Sequence, residues 1–558
     1  MQTINFKTNS KTSTYLRMKI TTPILFLASL FFFQACQNKE TPTTETPVKR
    51  PNILIAISDD QSYPYTSIYG DKTTQTPAFD KIANEGILFH NAFVASPGCA
   101  PSRASIFTGR YPWQNRNAGT HSSEFPSDLI IFTDLLNREG YKVGYTGKGW
   151  GPGSWEKGGR DKNPAGDYYQ DTTHTYDEYY PEKKYSKKIS SKNYAKNFEH
   201  FLSQKKEGES FCFWFGAHEP HRRFEEGIGL KRGKKPEDVN VPPFLPDAPE
   251  IRSDILDYSV HIEWFDLHLS RIIQKLEEIG ELDNTIIIVT SDNGMAFPRA
   301  KATCFEYGAH VPMAIRWGNQ IKNPGRVNED LISSTDIFPT IVEATGIQPP
   351  DTINLSGKSL LNIFESESEG IVDQERKAVY FARERHSSSR YNNAGYPQRA
   401  MRTKDFLFIR NFHPERYPAG SPQQIFDNGV TSKLHGEPDP KTGEYIGAYT
   451  DIDACPSKDF LIANRENPEV AHFFHLTVDL WPEEMLFDIR TDPGCLTNLA
   501  NNPEYKGIKA NLRNQLDNYL IETKDPRMVG DNPEVWEGYK RYAHIRQFVK
   551  PDWAKEAN

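Results

Sequence analysis

The chain has 558 residues, 37% apolar, 12% aromatic and 25% charged, enough for one large domain with a smaller one, or for three modest ones. A net charge of −8 excludes a global basic footprint for nucleic acid, so an anionic ligand would need locally placed positive charge. Six cysteines, irregularly spaced, match neither a zinc pattern nor a dense disulfide scaffold, although one bridge is open to them.

In chain order, the first feature is an apolar run of about ten residues within Ile24–Glu40, the length of a signal-peptide core and too short to span a bilayer. Met18-Lys19 just before it supplies a compact charged start, which makes Met18 an alternative initiator. The run ends in Phe-Gln-Ala-Cys, which resembles a bacterial lipobox with Cys36 as the acylated residue. Residues 37–50 read as a polar, proline-containing tether. The expectation is an exported lipoprotein of the periplasm or cell surface of a Gram-negative bacterium, touching the membrane through its lipid only. Simple signal cleavage is the alternative. No other stretch is long and apolar enough to cross a membrane.

PNILIAISDD, Pro51 to Asp60, is a β-branched run ending in two carboxylates, the pattern of a buried parallel strand opening into a loop. Thr76 to Val94 reads as a helix, with Thr76-Pro77 at its start, followed by a strand. A helix closed by Gly140 precedes a strand at Lys142–Thr146, and SFCFWFGAHEPH is another apolar strand ending in polar groups. A long amphipathic helix then leads into the strand Thr285–Thr290 and Ser-Asp-Asn-Gly. Strands alternating with helices predict an α/β fold, a large mainly parallel sheet sandwiched by helices, over residues 51–370. Past about Ile371 short alternating strands and tight turns predict a smaller antiparallel sheet, with a terminal helix around Glu504–Thr523, in a second α+β region spanning 371–558.

Asp59-Asp60, Gly147-Lys148, His218-x-x-His221 and Asp292-Asn293 each follow an apolar strand directly. In an open parallel sheet the carboxyl ends of the strands share one edge, so these groups are expected to converge on one pocket. Taken singly, each is an ordinary turn or loop residue. Three aspartates and an asparagine oxygen make a hard donor set that suits Ca²⁺, with Mg²⁺ as the alternative, and not zinc. The basic run Leu230–Asp238 is a candidate rim for an anion, or a solvated loop. Cys99, in SPGCAPSRASIFTGR, is the one cysteine with a suggestive neighbourhood: a nucleophile, a metal ligand, half a disulfide or a modified residue. A thiolate is a poor partner for a hard cation, which argues against a plain cysteine role.

Cys99 to Arg110, C-A-P-S-R-A-S-I-F-T-G-R, resembles the signature of the type I sulfatases of the alkaline phosphatase superfamily. SDDQ, GAHEPHR, SDNGMAFP and LFDIRTDPGCLTNLA extend the resemblance from about Asn52 to Ala500, most like the sulfamidase branch, which removes N-linked sulfate from glucosamine. The resemblance implies an alkaline-phosphatase-like fold and oxidation of Cys99 to formylglycine (3-oxoalanine) by a separate formylglycine-generating enzyme. It implies Asp59, Asp60, Asp292, Asn293 and the modified Cys99 as metal ligands. Arg103 would hold the hydrated aldehyde, Lys148 and Lys301 the sulfate, and His218 would protonate the leaving group. A hydrated aldehyde supplies the attacking oxygen and keeps a second hydroxyl through which the aldehyde reforms and sulfate departs, which serine lacks. A Pro-Ser-Arg turn leading into a helix from about Arg103 would aim N–H groups at the anion.

Two departures stand out. Trp150, in Lys148-Gly149-Trp150, occupies the place of the family's histidine base, leaving His221 or His121 as substitutes; Lys301 replaces the branch's arginine. Trp150 is expected to stack on a sugar ring, and His221, Arg222 and Arg223 to contact the sugar or to be surface charges. The leading expectation is a sulfatase acting on a sulfated polysaccharide or oligosaccharide, such as ulvan, fucoidan or a glycosaminoglycan, at O- or N-sulfate. A phosphonate or phosphate ester hydrolase on the same scaffold, and a non-catalytic lipid-anchored glycan-binding protein, are the alternatives.

Overall fold

The computed structural model describes residues 50–170 and 185–554. The signal segment, Cys36 and nearly all of the tether lie outside these residues, as do the expectations attached to them. Among the described residues no helix is long and apolar enough to cross a membrane.

The large sheet is built on β1 (Asn52–Ser58), whose seven residues are all buried. The remaining strands, in chain order, are β2 (Ile87–Phe89), β3 (Lys142–Gly147), β4 (Asp167–Tyr168), β5 (Phe211–Gly216), β6 (Thr285–Ser291), β7 (Met313–Arg316) and β8 (Arg326–Asn328). Their order across the sheet is β4-β3-β5-β1-β6-β7-β2-β8. The centre is parallel, with Ile55 of β1 in register with Trp214 of β5 and Ile288 of β6. The exception is β7, which runs antiparallel to both β6 and β2.

Period-two alternation along β1 divides its side chains between two cores. Ile53, Ile55 and Ile57 pack with α2 (Cys99–Thr108), α3 (Phe132–Arg138) and a helix at Ile337–Thr345. Leu54 and Ala56 face α1 (Pro77–Asn84), α4 (Tyr194–Ser203) and the 30-residue α5 (Pro249–Glu278). Burying each branched side chain contributes about 1.5–3 kcal/mol, so a sheet covered on both faces favours continuous apolar strands. The polar residues are thereby pushed to the strand ends.

Four antiparallel strands, Ala378–Arg383, Gln398–Thr403, Phe406–Asn411 and Glu484–Asp488, form the smaller sheet in that order. One face packs Val379, Phe381 and Ile409 against Phe93 and Phe305; the other receives Leu512, Leu516 and Leu520 of the terminal helix Lys506–Glu522. The expected α/β sandwich with a smaller antiparallel sheet is thus observed. The start of α2 differs from expectation: it begins at Cys99 and not near Arg103. Pro101 belongs to the first helical turn, where proline's missing N–H costs nothing. Among the described residues no cysteine is bridged: Cys99, Cys212, Cys304, Cys455 and Cys495 are all free and buried.

Candidate active site

The ends of β1, β3, β5 and β6 lie side by side, and their close approach is written into two glycines. A Cβ at Gly147 would stand 1.9 Å from the Gly216 carbonyl oxygen, so neither a larger residue nor a wider spacing fits where β3 and β5 end. Immediately beyond, Lys148 Nζ contacts both Asp59 carboxylate oxygens at 2.7 Å. Asp60 sits at φ 75°, a left-handed conformation unusual outside glycine, and its N–H donates to Asp292 Oδ1 at 3.1 Å. The hydroxyl of Tyr258 on α5 donates to the Asp60 carbonyl at 3.0 Å, locking this turn to the long helix.

Cys99 is the first residue of α2, whose ten residues are all buried, so the positive end of the helix faces the carboxylates. Its Sγ lies 3.5 Å from Asp59 Oδ1 and 3.7 Å from Asp60 Oδ1. One turn later Arg103 donates from Nε to Asp292 Oδ2 at 2.7 Å and from Nη1 to the carbonyls of Lys148 and Gly149 at 2.6 and 3.1 Å. Asn293 donates to Asp60 Oδ1 at 2.7 Å. Lys301 bridges Asp60 at 2.7 Å and Asp453 at 3.1 Å, and the N–H of Ala302 donates to Pro97 O at 2.8 Å, pinning the lysine's loop beside Cys99.

Three carboxylates and three strong cations therefore share one buried site. Burial pushes Asp59 up, but Lys148, His221, Arg103 and Lys301 outweigh it and hold the carboxyl well below its usual range. Burial raises Asp292 against the pull of Arg103. Burial also drives the Cys99 thiol well above its ordinary value, despite Lys148 and Lys301, so the unmodified residue is a thiol and a weak nucleophile. His218 is held at about 4, chiefly by burial, and is neutral at pH 7.

The donor set fits a hard divalent cation. Asp59, Asp60, Asp292 and Cys99 each offer a ligand atom, all within 4.8 Å of one another. Asn293 Oδ1 is buried without a hydrogen-bond partner, as is Arg103 Nη2. A buried carbonyl oxygen left unpaired is costly, and a cation beside three carboxylates would satisfy it.

Not every expected residue faces this site as supposed. Trp150 is only 3% exposed; its indole N–H donates to Ala100 O at 3.0 Å and its ring meets Phe125 edge-on at 5.2 Å. It props the first turn of α2 and offers no face to a sugar, which corrects the stacking expectation. Arg222 is likewise committed: its two Nη groups meet Asp254 at 2.7 and 2.8 Å, and its guanidinium lies 4.3 Å from the Phe297 ring centre and 4.4 Å from that of Phe224. Sugar contact through Arg222 is excluded by that burial. Arg223 pairs at the surface with Glu444. In the basic run, Lys234 meets Glu263 at 2.5 Å and Lys231 meets Glu225 at 3.3 Å, so these two charges serve neighbouring carboxylates and form no anion rim. His221 does border the site, with Nε2 3.8 Å from Asp60 Oδ2. His121 borders it too, packing on His386 at 4.6 Å. His386 Nδ1 would stand 3.1 Å from a Cβ at Gly98, the residue before Cys99. Sequence reasoning missed Asp453 and His386; both come from irregular segments that carry no periodic signal.

Comparison with known proteins decides the family. A model described as Sulfatase matches residues 51–347, and one described as N-sulphoglucosamine sulphohydrolase, C-terminal, matches residues 300–417. The chain belongs to the sulfatase family. It is a sulfuric ester hydrolase, sulfamidase-like over residues 300–417. It is similar to an ulvan-active sulfatase of Formosa agariphila, 26% identical over 94% of this chain and 86% of that one. It is also similar to the human N-sulphoglucosamine sulphohydrolase, 26% identical over 85% and 91% respectively. A solved structure holding its substrate D-glucosamine-2-N,6-O-disulfate shares the fold, with a TM-score of 0.59 and 21% identity over 86% of this chain and 99% of that one.

Proposed function

We propose that this sulfatase removes sulfate from a sulfated polysaccharide or oligosaccharide, using Cys99 converted to formylglycine and one divalent cation held by Asp59, Asp60, Asp292 and Asn293. The observation that carries the reading is the meeting of four strand ends at Cys99, with the orphaned Asn293 oxygen among three carboxylates. Cysteine 99 as a buried thiol is a poor attacker, which favours a modified residue in that place. When formed, formylglycine supplies a hydrated aldehyde oxygen as nucleophile, and the cation, for which calcium is our assignment and magnesium the alternative, supplies Lewis-acid activation.

The chain's own residues then have definable tasks. Arg103, fixed by Asp292 and two carbonyls, presents its unpartnered Nη2 toward Asp59, 3.6 Å away, and orients the nucleophile-bearing helix end. Lys148 and Lys301 neutralise the carboxylates and the incoming sulfate, stabilising charge on the transferring sulfuryl oxygens. His218, half-buried and neutral before substrate binds, is the acid for the leaving group. A bound sulfate's negative charge opposes the effect of burial, so proton uptake at His218 is linked to substrate binding. Tyr194 sets its position: the His218 N–H donates to the Tyr194 hydroxyl at 3.1 Å, which donates to Glu219 at 2.9 Å.

The substrate class, an ulvan-, fucoidan- or glycosaminoglycan-type polyanion at O- or N-sulfate, is supported by what the relatives' names state of those proteins. Export as a lipid-anchored protein through Cys36 is part of the same proposal and is supported by the Ile24–Cys36 pattern. The test is sulfate release from defined ulvan, fucoidan and glycosaminoglycan oligosaccharides by protein matured with a formylglycine-generating enzyme. Release from at least one class is expected. No release from any of them, or from an aryl sulfate, sinks the reading.

A further inference from the structure

The wall of the site formed by residues 384–389 and the segment 539–546 carries more positive charge than it neutralises. The buried carboxylates nearest that wall are already held by other cations, and Glu124 accepts from Asn117 and Tyr542. Asp451 is held by Arg383 at 2.5 Å and Arg390 at 2.7 Å. Glu384 is held by Arg399 and Arg527, both at 2.7 Å, and Glu537 by Arg416 at 2.6 Å. Asp453 is paired with Lys301.

Three arginines are left over. Arg385 is 3% exposed; its Nη2 donates to Tyr539 O at 2.8 Å, while Nε and Nη1 are buried with no partner. Arg541 reaches only main-chain oxygens, from Nε to His544 O at 3.3 Å and from Nη1 to His386 O at 3.4 Å. Arg546 likewise donates from Nη1 to Ser388 O at 3.1 Å, and its own N–H to Ser388 Oγ at 2.9 Å. Among the described residues none of the three has a carboxylate within ion-pair distance. Burial lowers the proton affinity of Arg541, and the like charge of Arg385 beside it lowers it further.

The same segments reach the reacting centre. The Arg385 carbonyl accepts from the His121 N–H at 3.1 Å, and His386 lies against Gly98, next to Cys99. Burying the Arg385 guanidinium N–H groups without acceptors is costly, and Arg541 and Arg546 stand half-exposed beside it without a counter-charge, so the cluster is explained by a ligand that arrives carrying acceptors. We propose that Arg385, Arg541 and Arg546 form an anion subsite beside the sulfate-transfer centre, taking a second charged group, a sulfate ester or a carboxylate, on a sugar adjoining the one desulfated. This deepens the sulfatase reading and rests on it. Planar guanidinium groups match either oxyanion bidentately. The subsite would select polyanionic glycans over isolated monosulfated sugars.

The test uses the mature full-length enzyme with 4-nitrophenyl sulfate as a minimal substrate. An ulvan oligosaccharide bearing sulfate and uronate, and its carboxyl-reduced counterpart, serve as competitors. In Arg541→Ala/Arg546→Ala the inhibition constant of the ulvan oligosaccharide is expected to rise at least tenfold, with kcat/KM for the aryl ester within twofold. The Arg541→Lys/Arg546→Lys enzyme should recover part of the affinity at an unchanged melting temperature. If carboxyl reduction alone reproduces the loss in the wild type, the second anion is a carboxylate; if not, it is a sulfate. An inhibition constant unaffected by the substitutions, including an oligosaccharide that never inhibits the wild type, overturns the subsite. Equal losses on both substrates overturn it as well. Absence of aryl ester hydrolysis by the formylglycine-bearing wild type would instead overturn the sulfatase reading itself.

Discussion

Trp150 offers a sharp test of how the nucleophile is positioned. Replacing it with alanine removes a side chain buried to 3% exposure, the hydrogen bond to Ala100 O and the edge contact with Phe125. Removing a buried aromatic of this kind costs about 3–5 kcal/mol, of which the hydrogen bond accounts for about 1. With an unfolding entropy of roughly 2.1 cal/mol/K per residue, a unit of about 500 residues loses about 1 °C per kcal/mol, so Tm should fall by about 3–5 °C. Trp150→Phe keeps most of the volume and should lose about 1–2 kcal/mol. Because the ring faces the core, KM for the glycan should stay within twofold in both variants, while kcat falls as the first turn of α2 loosens. Differential scanning calorimetry and steady-state sulfate release measure the two arms. Unchanged stability with KM raised tenfold would refute this account and return Trp150 to the sugar.

Arg222→Ala strands Asp254 as a buried charge whose remaining partner is Ser457, and should cost about 3–5 kcal/mol in urea unfolding without changing KM. A large rise in KM at unchanged stability would contradict that. Lys148→Ala should lower kcat by about 100- to 1,000-fold in a folded protein, because it removes a cation on the sulfuryl group; a loss below fivefold would exclude the role. Glu306 supplies a pH test. Burial raises it, but Arg402 and His310 prevail and hold it at about 2, against 4.5 for a free glutamate. A depressed folded value means stability that is complete above pH 4.5 and lost as pH falls toward 2, amounting to about 3 kcal/mol at pH 7. The stability gap between wild type and Glu306→Gln should therefore shrink by about 2 kcal/mol from pH 7 to pH 3. A gap that does not change with pH would refute the ion pair's contribution.

The parts of the site that are legible in the sequence are those whose chemistry follows directly on a buried strand. Asp59-Asp60, Lys148, His218 and Asp292-Asn293 could be assembled because apolar runs declare parallel strands, and parallel strands share an edge. The antiparallel β7 was not legible: Met313–Arg316 is four residues long and follows an irregular loop. Orientation was the other gap. Trp150 and Arg222 adjoin site residues in sequence, but both lie in irregular loops where no period fixes side-chain direction, and Trp150 turns into the core while Arg222 turns onto Asp254. Cys99 was legible by resemblance, while the start of its helix was misjudged because proline reads as a turn although the first helical turn accepts it. Asp453, His386 and the three arginines come from segments without period or repeat, so only the folded chain brings them to the site.

The central claim is that the sulfur encoded at position 99 is exchanged for a carbonyl oxygen in the working enzyme. Mass spectrometry of the tryptic peptide spanning residues 82–103 tests it most directly. Active protein should yield this peptide about 18 Da lighter than its cysteine form, in proportion to the fraction of active sites. A preparation that releases sulfate at full rate while this peptide keeps an intact thiol would contradict the account.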